Sequence, residues 1–218
     1  MNNILEKQEH IQLFSVSSLL GYAALYENFE TPIDQNASAH LWLYSALDRT
    51  TPKLQKTLNK IAKLFPSQLI QLKKDVHGKP YFEPPYENIA VSLSYTNQFG
   101  LLGLSTKTNI GVDIVEVAES FNISEVVNSH FHFSEQLLFN NLDYTSAKNY
   151  FFNAWALKEA ILKSTGEGIT FGGLSKIIVG LKDKSYVIKD GFEKEKAITG
   201  SITLKRNDTE LVIGVSVY

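Results

Sequence analysis

Two short stretches of this chain hold charged residues where local rules disfavour them. The first is the β-type run GVDIVEV, Gly111 to Val117. Side chains alternate faces along a strand, so Asp113 shares a face with Gly111, Val115 and Val117. A carboxylate in that company is costly to bury unless it is paired or bound to a metal. A turn at the strand end or a lysine partner would satisfy it as well as a metal would. The second stretch is WALKEAILK, Trp155 to Lys163. Its apolar positions run nearly all the way round a helix, which predicts burial. It nevertheless carries Lys158, Glu159 and Lys163. Trp155, Glu159 and Lys163 fall on one stripe at i, i+4, i+8, and Glu159 with Lys163 makes a helical ion pair in the favourable order, worth ~0.2–0.5 kcal/mol on an exposed surface.

A carboxylate with a lysine one turn later is also what a metal–pyrophosphate site needs. The carboxylate holds a divalent cation, and the ammonium meets phosphoryl oxygens. Asp113 from the strand and Glu159 from the helix could share one hard cation. Oxygen ligands in a chain without cysteine argue for magnesium or manganese rather than zinc. Such an ion would bridge the two phosphates of a pyrophosphate and stabilise the charge that develops there.

Taken in order, Gly111-Val112-Asp113 and Trp155-Ala156-Leu157-Lys158-Glu159-Ala160-Ile161-Leu162-Lys163 resemble the two-part signature of the 4′-phosphopantetheinyl transferases. Gly78-Lys79-Pro80 resembles the turn that precedes the family's serine-bearing strand, here Ala90-Val91-Ser92-Leu93-Ser94, and Lys163 to Ile169 fits the family's helix ending. The length resembles the monomeric, two-halved, surfactin-synthetase-activating class. The resemblance implies an α+β fold of two similar halves about a pseudo-twofold axis, 1–105 and 106–218, with the site in the cleft between them. It implies transfer of the 4′-phosphopantetheine arm of coenzyme A to a serine of an acyl or peptidyl carrier protein, with magnesium on Asp113 and Glu159. Glu159 and Lys163 would serve in catalysis. Lys158, Lys163, Asp113, Ser92, the backbone of Lys79 and Pro80, and Arg49 would contact the coenzyme. Two positions depart from the pattern. Val115 stands where many long-class members have a second acid, with Glu116 one residue further on and facing the other way. Leu93 replaces the family's histidine. Two rival readings are a coenzyme A-binding module without transferase activity and a magnesium-dependent pyrophosphate hydrolase.

The whole chain sets bounds on these readings. It has 218 residues, 44% of them hydrophobic and 20% charged, which suits a globular core and excludes a disordered chain. Lys plus Arg is 21 against 23 for Asp plus Glu, a balance that gives no pull toward nucleic acid. Arg49 and Arg206 are the only arginines, so an anion site must rely on lysine, backbone N–H groups or a metal. The absence of cysteine excludes disulfides and thiol chemistry. No basic leader with an apolar run opens the sequence, and no apolar stretch nears the ~20 residues that span a bilayer. A cytoplasmic address is therefore expected, and the resemblance implies a monomer.

The elements that must position the site follow from periodicity. Residues 11–25 predict a strand running into a helix. Residues 38–47 and 52–65 have helical spacing, with Thr51 as N-cap, Pro52 at the first helical position and Pro66 as stop. Runs at 89–95, 99–105 and 110–117 predict a β-meander. Residues 123–140 and 147–165 predict helices, the second ended by Gly166 and Gly168. Strands are expected at 175–180, 185–189, 197–205 and 210–218, with a turn at Asn207-Asp208.

Overall fold

A strand with an apolar face on either side cannot stand alone, and the alternating runs of this chain meet that requirement by stacking two sheets. The computed structural model describes residues 23–26, 39–45, 72–76, 78–106, 109–118, 122–166, 173–182, 185–190, 198–206 and 208–217. The first sheet holds β1 (Ala23–Tyr26), β2 (Ala39–Ser45), β6 (Phe99–Ser105) and β5 (Ala90–Tyr95) in the order β1-β2-β6-β5. The second is β10 (Ile198–Arg206), β11 (Thr209–Val217) and β7 (Ile110–Glu116), antiparallel throughout. Two hairpins complete the strands: β3 (Leu72–Lys74) with β4 (Pro80–Phe82), and β8 (Ile178–Lys182) with β9 (Ser185–Asp190). The helices are α1 (Ile123–His130), α2 (Phe133–Asn140), α3 (Tyr144–Thr165) and the single turn α4 (Gly173–Lys176). The chain is thus a mixed α+β protein.

The core is layered. Leu41, Leu43, Leu101, Ile110, Val112, Ile114, Ile213 and Val215 fill the space between the two sheets. The opposite face of the second sheet is covered by α3, where Val127, Phe131, Phe151, Leu157 and Val212 form a further cluster. Helix α3 starts on the Asp143 side chain, which accepts the Ser146 N–H at 3.1 Å, and ends at Gly166 in the left-handed region, φ 79°.

Two glycines set how closely α3 lies on the sheet. A Cβ on Gly111 would stand 1.8 Å from the Ala160 carbonyl oxygen, and one on Gly214 would stand 2.2 Å from that of Ala156. Both positions belong to the face that carries Asp113, because Gly214 is the cross-strand partner of Asp113 and Gly111 that of Ser216. The backbone of α3 therefore rests directly on β7 and β11. Ser216 closes the contact by a hydroxyl–hydroxyl bond to Ser164 at 3.0 Å.

Several expectations are corrected. Residues 39–45 form a strand, not a helix. Five of its seven residues are buried in the sheet interior, and a continuously apolar run of that length has no period by which to tell strand from helix. The run at 110–116 is a strand, but it leaves the meander to pair with β11, so β5 and β6 alone form a hairpin. The helix expected over 123–140 breaks at Phe131-His132, where His132 caps α2. Residues 173–176 are a helical turn before β8. The segments 11–22 and 52–65, with Thr51, Pro52, Pro66 and Gly168, lie outside the described residues.

Gly111→Ala should lower stability by on the order of 3 kcal/mol or prevent folding, since two backbone segments would have to separate. Gly78→Ala is the comparison: its positive φ, 83°, adds backbone strain that Gly111 does not have, but no atom lies within 4 Å of the added carbon. Urea melts should show a much larger loss for Gly111→Ala than for Gly78→Ala.

Candidate active site

The close seat of α3 brings its polar stripe to β7. Asp113 is buried, and its Oδ1 accepts from Lys163 Nζ at 2.7 Å and from the Ser94 hydroxyl at 2.7 Å. Lys163 Nζ donates a second bond, to the Val112 carbonyl, at 3.1 Å. Its side chain stays 27% exposed, so the ammonium is anchored at the site and still reached by solvent. Glu159, one turn earlier on α3, is buried, and its Oε1 has no hydrogen-bond partner. Burial pushes the Glu159 carboxyl up to about 7; the Asp113 charge adds to the rise and Lys163 opposes it. Two carboxylates and an ammonium thus share a cramped, largely dry space.

This arrangement meets both readings of Asp113, because it has a lysine partner and a carboxylate neighbour at once. The ion pair of Lys163 differs from the expected one. Lys163 pairs with Asp113 across the strand–helix contact, and among the described residues no salt bridge joins it to Glu159. The strand places Asp113 nearer the ammonium than helical spacing alone places Glu159.

Ser92 is buried, and its oxygen accepts the Val112 N–H at 3.0 Å. Ser94, which residue types alone did not single out, is the hydroxyl that reaches Asp113, and its oxygen accepts the Ile114 N–H at 3.3 Å. The signal for it was the Ser-x-Ser spacing, which puts both hydroxyls on one face of β5. Leu93 points to the other face and packs with Trp42, Phe82 and Val91. Val115 lies on the Asp113 face but packs against the α3 cluster, so a carboxylate there would be half-buried among apolar side chains. The Gly78-Lys79-Pro80 turn closes the β3–β4 hairpin. Lys79 N–H donates to Asp75 Oδ1 at 2.8 Å, and Lys79 Nζ lies where a Cβ on Gly166 would be 3.3 Å away. That places the turn at the C-terminal end of α3, three residues beyond Lys163. Arg49 lies outside the described residues.

Lys158 is not part of this cluster. It is fully buried, and its ammonium donates to Glu135 Oε2 at 2.7 Å, to the Leu174 carbonyl at 2.7 Å and to the Ile177 carbonyl, over the Phe131 ring. Burial pulls its pKa below the ordinary lysine value, against the pull of Glu135. All three donors are committed, so the expected contact with a pyrophosphate is not met in this structure. Glu135, to which the sequence assigned no role, also accepts from the backbone of His132 at 3.0 Å and of Val179 at 3.0 Å and from Tyr150 at 3.3 Å. The network ties α2, α3 and β8 together behind the site.

Asp113 and Glu159 are what the site has to offer a cation. No group of three or more His, Cys, Asp or Glu residues that could hold a metal occurs among the described residues. The unpartnered Glu159 oxygen beside a second carboxylate suits a hard cation that keeps several waters, as magnesium does.

Residues 109–215, the segment that builds this cluster, match the family model described as the 4′-phosphopantetheinyl transferase superfamily. They belong to that superfamily. A putative 4′-phosphopantetheinyl transferase, slr0495, from Synechocystis is 31% identical over 116 residues, covering 51% of this chain and 45% of the relative. The 4′-phosphopantetheinyl transferase gsp of Aneurinibacillus migulanus is 23% identical over 147 residues, covering 67% and 53%. The chain spans about half the length of these two relatives. A holo-(acyl-carrier-protein) synthase from Bacillus anthracis, solved with CoA (3′,5′-ADP), aligns at 18% identity over 50% of this chain and 96% of that one, with a TM-score of 0.40. No helix among the described residues is long and apolar enough to cross a membrane.

Two outcomes follow from this geometry. Glu159 binds a proton in the folded protein at a pH where the unfolded chain has released it. Without added metal, stability should therefore fall as pH rises from about 4.5 to about 7, by on the order of 3 kcal/mol. Glu159→Gln should flatten that dependence and melt higher than wild type at pH 8. Manganese should raise the wild-type melting temperature more at pH 8 than at pH 5.5, because proton and cation compete for one carboxylate. Behind the site, Lys158→Met should cost about 3–5 kcal/mol by leaving Glu135 unpaired. Lys158→Met with Glu135→Gln should cost less than the two single losses added together, which urea melts will show.

Proposed function

We propose that this protein transfers the 4′-phosphopantetheine arm of coenzyme A to a serine hydroxyl of an acyl or peptidyl carrier protein and releases adenosine 3′,5′-bisphosphate. The meeting of Asp113, Glu159 and Lys163 within the superfamily segment carries this reading. Asp113 and Glu159 would hold magnesium, which would neutralise charge on the coenzyme's pyrophosphate. The carrier serine oxygen bonds to the β-phosphorus as the bond from that phosphorus to the bridging oxygen breaks. Glu159, or a water that it orients, would take the serine proton. Lys163, anchored yet partly exposed, would neutralise or protonate the departing phosphate. Ser92 stands near the phosphates, the backbone at Lys79-Pro80 flanks the adenine, and Arg49 meets the 3′-phosphate.

The same reading extends to the whole molecule. The first sheet is built from residues 23–105 and the second from residues 110–217, which supports two halves meeting between residues 105 and 106 with the site where β5 faces β7. We take the protein to act as a cytoplasmic monomer without nucleic-acid or membrane partners.

Intact mass of an apo-carrier protein incubated with this protein, coenzyme A and magnesium should rise by one phosphopantetheine arm. Asp113→Ala, Glu159→Ala or chelation should each abolish the rise. Lys163→Ala should cut kcat by ~100-fold with little change in the KM for coenzyme A, and Lys163→Arg should restore only part of it. Consumption of coenzyme A at constant carrier mass would instead make the protein a hydrolase.

A further inference from the structure

β5 and β7 face each other at the site, yet they belong to different hydrogen-bonded sheets. Side chains of β5 take the place of a neighbouring strand's carbonyls. Ser92 accepts the Val112 N–H and Ser94 accepts the Ile114 N–H. The next residue in this alternation, Thr96, donates its hydroxyl to Glu116 Oε1 at 2.5 Å, and the same oxygen accepts the Gln98 N–H at 3.1 Å. Residues 92, 94 and 96 thus meet 112, 114 and 116 in parallel register, rung by rung. The third rung is well braced. Thr96 N–H donates to the Phe99 carbonyl at 2.8 Å, and Thr96 Oγ1 accepts the Phe99 N–H at 3.0 Å. Glu116 therefore grips the whole β5–β6 turn.

We infer that Glu116 is a positioning residue for Asp113, acting through Thr96, the end of β5 and Ser94; the inference rests on Asp113 being a cation ligand. A hydroxyl has one proton, and Ser94 gives its proton to Asp113 Oδ1. Where that hydroxyl sits along β7 is set by the Ile114 N–H on one side and by the Glu116–Thr96 rung at the strand's end. Releasing the rung lets β5 slide or lift, and the carboxylate loses the bond that orients it. Hydrogen bonds of this kind to a ligating carboxylate typically change metal affinity by about 10–100-fold. Glu116 stands one residue past the position where a second acid would share the Asp113 face, so it serves the site from the opposite face of β7.

The test is calorimetric titration of the protein with manganese ion, with a thermal melt of every variant. Ser94→Ala, Thr96→Val and Glu116→Ala should each weaken affinity by about 10-fold. Glu116→Gln keeps an oxygen acceptor for Thr96 and Gln98 and should stay within about threefold of wild type. Glu116→Ala with Ser94→Ala should be no weaker than Ser94→Ala alone, because both act through one hydroxyl. A loss in Glu116→Gln equal to that in Glu116→Ala would mean that the carboxylate acts by its charge, and unchanged affinity in Thr96→Val would mean that the rung only adds stability; either overturns the inference. If Glu116→Ala does not fold, Thr96→Val and Glu116→Gln decide alone. Absence of manganese binding by the wild type would instead sink the reading of Asp113 and Glu159 as a cation site.

Discussion

The seat of α3 on β7 and β11 is the constraint on which the rest of the site depends. Gly111 and Gly214 leave no side chain where the helix backbone crosses, and contacts as short as theirs exclude even a methyl group. One consequence is chemical. Lys163 on the helix can reach both the Val112 carbonyl and the Asp113 carboxylate only because the two elements nearly touch. A second is electrostatic. The same contact buries Glu159 next to Asp113, which raises its pKa and leaves one of its oxygens without a partner. The glycine of the Gly-Val-Asp motif thus serves the aspartate two residues later, by letting in the helix that carries its partners.

Burying two carboxylates with one ammonium is a poor way to gain stability, since desolvation offsets much of the attraction. The protein keeps that cost local. Behind the site the Lys158–Glu135 pair is saturated with hydrogen bonds to Leu174, Ile177, His132 and Val179, so that α3 is held from the rear. The adjacent residues Lys158 and Glu159 point to opposite fates: one is a closed network, the other an open valence. A buried group left unsatisfied next to a satisfied one marks where a ligand's charge is awaited.

The chemistry was more legible in the sequence than the fold. Asp113, Glu159 and Lys163 could be picked out because each is polar in an otherwise apolar period, and the structure brings all three together. The long helix and the strand runs from residue 90 onward were legible for the same reason: their periods are strong. Residues 39–45 were misread because a strand buried on both faces has no alternation to show. Lys158 was assigned to the ligand because a motif gives spacing and not direction; only packing shows that it points toward Glu135. The pairing of β7 with β11, distant in the chain, left no local trace. Ser94 and Glu116 were visible as letters, but their roles depend on two strands from different sheets lying in register.

On the proposed reading Asp113 and Glu159 would together hold a divalent cation on a pyrophosphate, with the Lys163 ammonium meeting the phosphate. Crystals grown with coenzyme A and manganese test it through an anomalous difference map. A single strong peak is expected, bonded to oxygens of both carboxylates and of the pyrophosphate, with the Lys163 ammonium on a phosphoryl oxygen. A coenzyme bound without a peak between Asp113 and Glu159, and with the Lys163 ammonium away from its phosphates, would contradict it.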